Sequence, residues 1–106
     1  MSKLILKIVT PSGNRDPIRC DSVHLTICDD LNGKGGGSYG IRAGHAKSLL
    51  SLDKGVIKAF LSGQNLLTGK NDIGFATVEQ DAVTVVTDAF VEMHNEAERE
   101  NPRAQK

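Results

Sequence analysis

The chain has 106 residues, with 13 Lys+Arg set against 13 Asp+Glu and a formal net charge of +0 when the histidines are neutral. That balance gives no general attraction to nucleic acid or to an anionic membrane, and the length bounds a single domain. At 39% hydrophobic residues it can bury a core, while a domain of this size still exposes roughly a third of its chain surface, enough for a large complex to use.

Apolar residues recur mainly with period two, in short runs bounded by Gly, Pro, Asn and Asp, which is the pattern of half-buried strands. The fold class read from this is all-β. The first run, 3–9, is interrupted by Lys7 and ended by Thr10-Pro11. It is too brief for a signal-peptide core or a membrane span, and no Arg-rich presequence is visible, so a cytoplasmic protein is expected. Further strands are predicted over 17–20, 22–28, 38–42, 56–61, 65–68, 72–79 and 83–87, with another candidate at 89–93. In 22–28 the inward set is Val23, Leu25 and Ile27; in 56–61 it is Ile57, Ala59 and Leu61, with Lys58 marking the outer face.

Turn residues separate these runs. "TPSGN" (10–14), "SGQN" (62–65), "GKND" (69–72) and "EQDA" (79–82) offer residues that accept tight or left-handed backbone, and the last three suit hairpins. "DDLNGKGGG" (29–37) has four glycines in nine residues and reads as a mobile surface loop. After Thr87, "TDAFVEMHNEAEREN" carries a cap and good helix formers but a thin apolar stripe, closed by Pro102. At most one short helix is expected there. The division is a β-sandwich domain over 1–93 and a short polar tail, helical or disordered, over 94–106.

Three patterns invite a chemical reading. "GGGSYG" (35–40) satisfies G-x-G-x-x-G, but "IRAGHA" comes next in place of the start of a helix that would aim amides at a phosphate. Nor is "GKGGGS" a P-loop, since its Lys precedes the glycines. Cys20, His24 and Cys28 could be metal ligands on paper; on one extended strand, however, residues eight apart lie ~26 Å from each other at ~3.3 Å per residue, too far for a shared zinc or a disulfide. Two reduced cysteines fit a reducing compartment. His45 could pair with Asp29, Asp30 or Asp53 as an acid or base, but no nucleophile motif accompanies it, and a structural or interface histidine is the preferred reading. No catalytic, cofactor or metal residue is assigned.

Taken in order, "VTPSG" (9–13), "GSYGIRAGHAKSLLSLDKGVIK" (37–58) and "GFATVEQDAVTVVTD" (74–88) resemble the signature of the ε (epsilon) subunit of F-type ATP synthases, over roughly residues 3–93. The central block is the specific one. Ala43 and Lys47 stand where that family has prolines around Gly-His-Ala, and the segment 29–37 is longer than its counterpart. The resemblance implies a ten-stranded β-sandwich and a non-catalytic central-stalk subunit without cofactor. Such a subunit binds the γ (gamma) subunit and the ring of c subunits, and couples ion transport to ATP synthesis or hydrolysis. It reaches the catalytic complex only indirectly, as a peripheral subunit on the cytoplasmic face of the cell membrane.

By position, the resemblance assigns His45, Ala46 and Leu49 to the contact with γ, and Lys34, Ser38 and Tyr39 to the contact with the c-ring. Gly40 and Gly44 would permit a sharp corner that holds His45 as an exposed contact, after which the leucines drop back into the core. The family commonly continues into a two-helix C-terminal domain. The expectation here is a minimal form, or one cut after the sandwich, that neither restrains hydrolysis nor binds ATP. Two rivals stay open: a stand-alone sandwich or cupin-like barrel binding a small ligand or metal, and an enzyme using the glycine loop with His45. The first would need convergent polar residues facing inward, whereas the inward sets are aliphatic.

Overall fold

In the run AVTVVT at 82–87, Val83, Val85 and Thr87 are buried while Ala82, Thr84 and Val86 between them are half-buried, and the chain around it folds by the same alternation. The computed structural model describes residues 4–29 and 35–93. Its elements are β1 (Leu4–Thr10), β2 (Gly13–Asn14), β3 (Ile18–Cys20), β4 (Ser22–Asp29), β5 (Gly35–Arg42), β6 (Ser48–Leu52), β7 (Gly55–Leu61), β8 (Gln64–Asn71), β9 (Gly74–Glu79), β10 (Ala82–Thr87) and β11 (Phe90–Glu92). There is no helix among the described residues, so the all-β reading holds, with eleven strands.

The strands run in the order β11-β8-β7-β4-β6-β9-β10-β1-β2, with β3 also on β1 and β5 on the other edge of β4. β4 is where the sheet changes direction. Its first half, Ser22 to His24, pairs with β7, while Ile27 farther along the same strand pairs with Leu52 of β6. A strand that hands its partner over midway curls the sheet on itself. The pairing is antiparallel except for β1 beside β10, where Ile5 to Val9 run parallel to Ala82 to Val86.

The core lies inside this curl. Leu6, Val83 and Val78 form one cross-strand row, and Ile8, Val85 and Ala76 the next. All six are buried, as are Val23, Leu25, Ile41, Ile57, Ala59 and Leu67 from the opposing strands. The inward sets read from 22–28 and 56–61 are therefore the ones buried, with Ile27 and Leu61 only half-buried toward the strand ends. Lys58 is exposed.

Two turns take the shape their residues suggest. Ser62 (φ 52°) and Gly63 (φ 80°) close the β7–β8 hairpin, and Gln80 (φ 53°) and Asp81 (φ 62°) close β9–β10; left-handed backbone at both central positions is the tight hairpin that matches strand twist. "GKND" departs from expectation: Gly69 to Asn71 continue β8, because β7 pairs along one edge and β11 along the other. A Cβ on Gly69 would run into the Phe90 ring, so this glycine makes room for β11 rather than a turn. The same pairing makes Phe90 to Glu92 strand, in line with the candidate at 89–93, so no helix begins directly after Thr87. Gly35 to Gly37, expected in the loop, already belong to β5 opposite Asp29 to Ile27. The rest of that predicted loop, residues 30–34, and the predicted tail at 94–106 lie outside the described residues.

Candidate functional site

Strand direction sorts the turns into two ends. One holds the β5–β6 turn, the β9–β10 hairpin and the β7–β8 hairpin. The other holds the turns that lead into β2, β7, β9 and β11, together with the far end of β4 and the start of β5.

At the first end stands Gly-His-Ala. The backbone N–H of His45 donates to the Arg42 carbonyl at 3.2 Å, closing a turn whose third position is Gly44 at φ 85°. A turn of that form needs left-handed backbone at its third residue, which glycine supplies without a Cβ clash. Gly44 N–H in turn donates to Asp81 Oδ1 at 2.8 Å, tying the corner to the β9–β10 hairpin. Gly40 is not at the corner. It lies inside β5 opposite His24, and its bare Cα faces that imidazole.

The His45 ring is half-buried and occupied on both nitrogens. Nδ1 lies 2.8 Å from the Ala46 carbonyl, which can only accept, so Nδ1 carries hydrogen; Nε2 lies 2.9 Å from the Tyr39 hydroxyl. The Tyr39 and His45 rings meet edge to face at 5.8 Å. The imidazole is thus a bracket between β5 and the turn rather than a free contact. Tyr39 packs against the core, so it shares a strand with exposed Ser38 but not a face. Lys34 lies outside the described residues. Of the other residues assigned by resemblance, Ala46 is exposed and Leu49 stands 72% exposed. The expectation that the leucines return to the core holds for Leu52 and in part for Leu50, but fails for Leu49, because β6 alternates and Leu49 pairs across to Thr77 on the outer face.

Farther along that outer face stand residues to which the resemblance assigns no role. Cross-strand partners share a face, so Ser51, Phe75, Val86 and Val9 form one outward row across β6, β9, β10 and β1. Together with Pro11, Cys28, Leu52, Ile73 and Asp88 this row lines an apolar groove of about 680 Å³. Phe75 and Ile73 remain 43% and 52% exposed there. The one sequence signal for it is an aromatic at the outward position of a strand, where Thr77 and Glu79 are the expected kind of residue. The opposite outer face, across β5, β4 and β7, is polar by contrast. His24, Lys58 and Arg42 stand on it, and His24 meets Phe60 edge to face at 5.3 Å.

The candidate metal set, expected along one extended strand, is divided between β3 and β4. Cys20 ends β3, Cys28 is near the end of β4, and both are free thiols. Burial, and to a lesser extent the Asp21 carboxylate, push the Cys20 thiol up from its ordinary range. Among the described residues no group of three or more His, Cys, Asp or Glu could hold a metal, and no helix is long and apolar enough to cross a membrane. The buried described residues are apolar apart from Asn71 and Thr87, whose side chains stitch turns together. Asn71 Nδ2 donates to the carbonyls of Asp53 (3.0 Å) and Asp72 (2.7 Å), and the Thr87 hydroxyl donates to the Asp72 carbonyl at 2.8 Å.

No protein-family profile matches the chain, and no curated protein sequence does. Solved structures do. A chain of the Euglena gracilis mitochondrial ATP synthase, from the structure of its OSCP/F1/c-ring in rotational state 1, superposes with TM-score 0.72 at 18% identity, covering 87% of this chain and 54% of that one. A chain of the Tetrahymena thermophila mitochondrial ATP synthase central stalk and c-ring superposes with TM-score 0.64 at 14% identity, covering 84% of this chain and 66% of that one. This chain therefore spans between about half and two thirds of the neighbours' length. At these identities the likeness establishes the fold: an all-β domain shared with chains of two mitochondrial ATP synthase assemblies.

Proposed function

We propose that the chain is the non-catalytic, ε-type subunit of a rotary ATP synthase stalk, binding γ through the corner side of the molecule and approaching the c-ring from the β4–β5 side. The observation that carries this reading is a coincidence of two independent likenesses. The fold match covers 87% of the chain. The three blocks that resemble the ε signature fall on the β1–β2 hairpin, on β5 to β7 and on β9–β10, which this fold brings together. The second and third blocks meet physically at the Gly44 to Asp81 hydrogen bond.

In this reading Ala46 and Leu49 are the exposed groups offered to γ, and His45 fixes the turn that presents them. Ser38 and Tyr39 belong to the strand offered to the c-ring, and Lys34 is assigned to the same contact. The mechanism is mechanical. A curled sheet with tight hairpins and a continuous aliphatic core resists shear, which suits a subunit that passes torque between rotor parts. A peripheral position at the membrane face where a c-ring projects goes with this role, and the subunit contributes no catalytic group of its own.

Co-expression with the γ subunit encoded in the same genome, followed by co-purification, tests it. The expected result is a stable complex with an interface of about 1,600 Å² in total. Failure to co-purify at micromolar concentrations contradicts it.

A further inference from the structure

The apolar groove calls for an occupant, and its rim restricts which. Its lining contains no basic side chain and one carboxylate, Asp88. Asp53 follows the lining residue Leu52 and Asp72 precedes the lining residue Ile73, so three turns at this end each place an acid beside the groove. Lys54 is the basic residue among them. Neither salt bridge among the described residues involves these carboxylates: one joins Arg15 to Glu92 and the other Lys47 to Glu79. The result is an exposed apolar strip, including Phe75 and Ile73, edged by negative charge that no described residue neutralises by an ion pair.

We infer that this groove seats a segment of another protein that presents apolar side chains flanked by lysine or arginine. Two other occupants are disfavoured by the same rim. A second copy docking about a two-fold axis would bring the acidic rim of one groove close to the acidic rim of the other, and like charges near one another oppose association. An anionic lipid surface would be repelled by the same three acids. A segment with basic flanks satisfies both parts: the apolar side chains cover Phe75 and Ile73, and the flanks meet carboxylates at the edge, where they steer encounter. This inference stands on the groove alone and does not depend on the rotary reading.

The chain has two cysteines, of which Cys20 is buried and Cys28 lines the groove, so alkylation of Cys28 reports on occupancy. The probes are two synthetic amphipathic peptides with the same leucine positions, one carrying lysines on its polar positions and the other glutamates. With the full chain at low ionic strength, the lysine peptide is expected to bind and to slow Cys28 alkylation at least tenfold, and salt to weaken it. Phe75→Asp should abolish the protection. The double variant Asp53→Asn, Asp88→Asn should weaken it several-fold while keeping the fold, since an asparagine carbonyl can still accept the Lys54 N–H that Asp53 Oδ1 accepts now. Equal protection by both peptides overturns the inference, as does binding without protection or no binding by either. Protection that rises with protein concentration in the absence of peptide also overturns it, in favour of a second copy.

Discussion

The corner at Arg42 to Lys47 and the groove across β6, β9, β10 and β1 use their surfaces in opposite ways. At the corner polar groups are satisfied internally: the His45 ring between Tyr39 and its neighbour's carbonyl, Gly44 N–H on Asp81, and the Ser48 hydroxyl on the Ala46 carbonyl. At the groove an aromatic and a β-branched side chain stay uncovered, while the acids beside them make no ion pair among the described residues. A self-satisfied site holds the fold, and an unsatisfied one awaits a partner. The most recognisable sequence motif thus marks the scaffold, and the apolar groove lies toward the other end of the sheet, across β1, β6, β9 and β10.

The largest expected effect separates the groove's floor from its lining. Gly74 sits where β9 passes β10, and a Cβ there would overlap the Val86 carbonyl oxygen, a backbone atom that cannot swing aside. Gly74→Ala should cost about 3 kcal/mol and lower Tm by more than about 10 °C in thermal melting. A shift under about 2 °C would show that the strands there are loose, and would remove the rigid platform the groove needs.

His45→Ala comes next, with an expected loss of about 1–2 kcal/mol, because it strips a partner from Tyr39 and unties the turn. Tyr39→Phe should cost less, about 0.5–1 kcal/mol, and the two should be non-additive in a double-mutant cycle because they share one hydrogen bond. Additivity would mean that the bond between Nε2 and the hydroxyl contributes nothing in solution. By contrast, Phe75→Ser should lower chemical-denaturation stability by less than about 1 kcal/mol, since 43% of the residue already faces water. A loss like that at His45 would place Phe75 in the core instead of the groove.

The smallest effect is alkaline. Burial raises the Cys20 thiol above its ordinary 9.0, so the folded state holds that proton more tightly than the unfolded chain. Stability should be unaffected below that value and fall as pH rises through it. Cys20→Ala should remove this part of the alkaline slope in melts followed across the range. An unchanged slope would assign it to other groups.

Much of this is legible in the sequence, for identifiable reasons. In 22–28 the alternation is clean because the strand has one face in the core, and Ser62-Gly63 announces a tight hairpin chemically. β6 is hidden because "SLLSL" does not alternate: Leu49 faces out while Leu50 and Leu52 face in. Gly69 misleads because a glycine that makes room for a ring looks the same in sequence as one that turns the chain. The split of β4 between β7 and β6, and the parallel placing of β1 beside β10, join residues far apart along the chain. No local pattern encodes such pairings. The groove depends on them, since Val9, Ser51, Phe75 and Val86 become neighbours only through three strand pairings.

The contrast between the His45 bracket and the exposed Leu49, proposed above as a contact with γ, is tested by two quantities measured on the same samples: Tm, and affinity for γ per folded molecule, for His45→Ala and Leu49→Ser. His45→Ala should lower Tm by several degrees with a lesser change in affinity. Leu49→Ser, at a side chain 72% exposed, should leave Tm in place and weaken γ binding about tenfold. If His45→Ala instead abolishes binding at unchanged Tm while Leu49→Ser has no effect on either, the histidine is the contact and its role as a bracket is refuted.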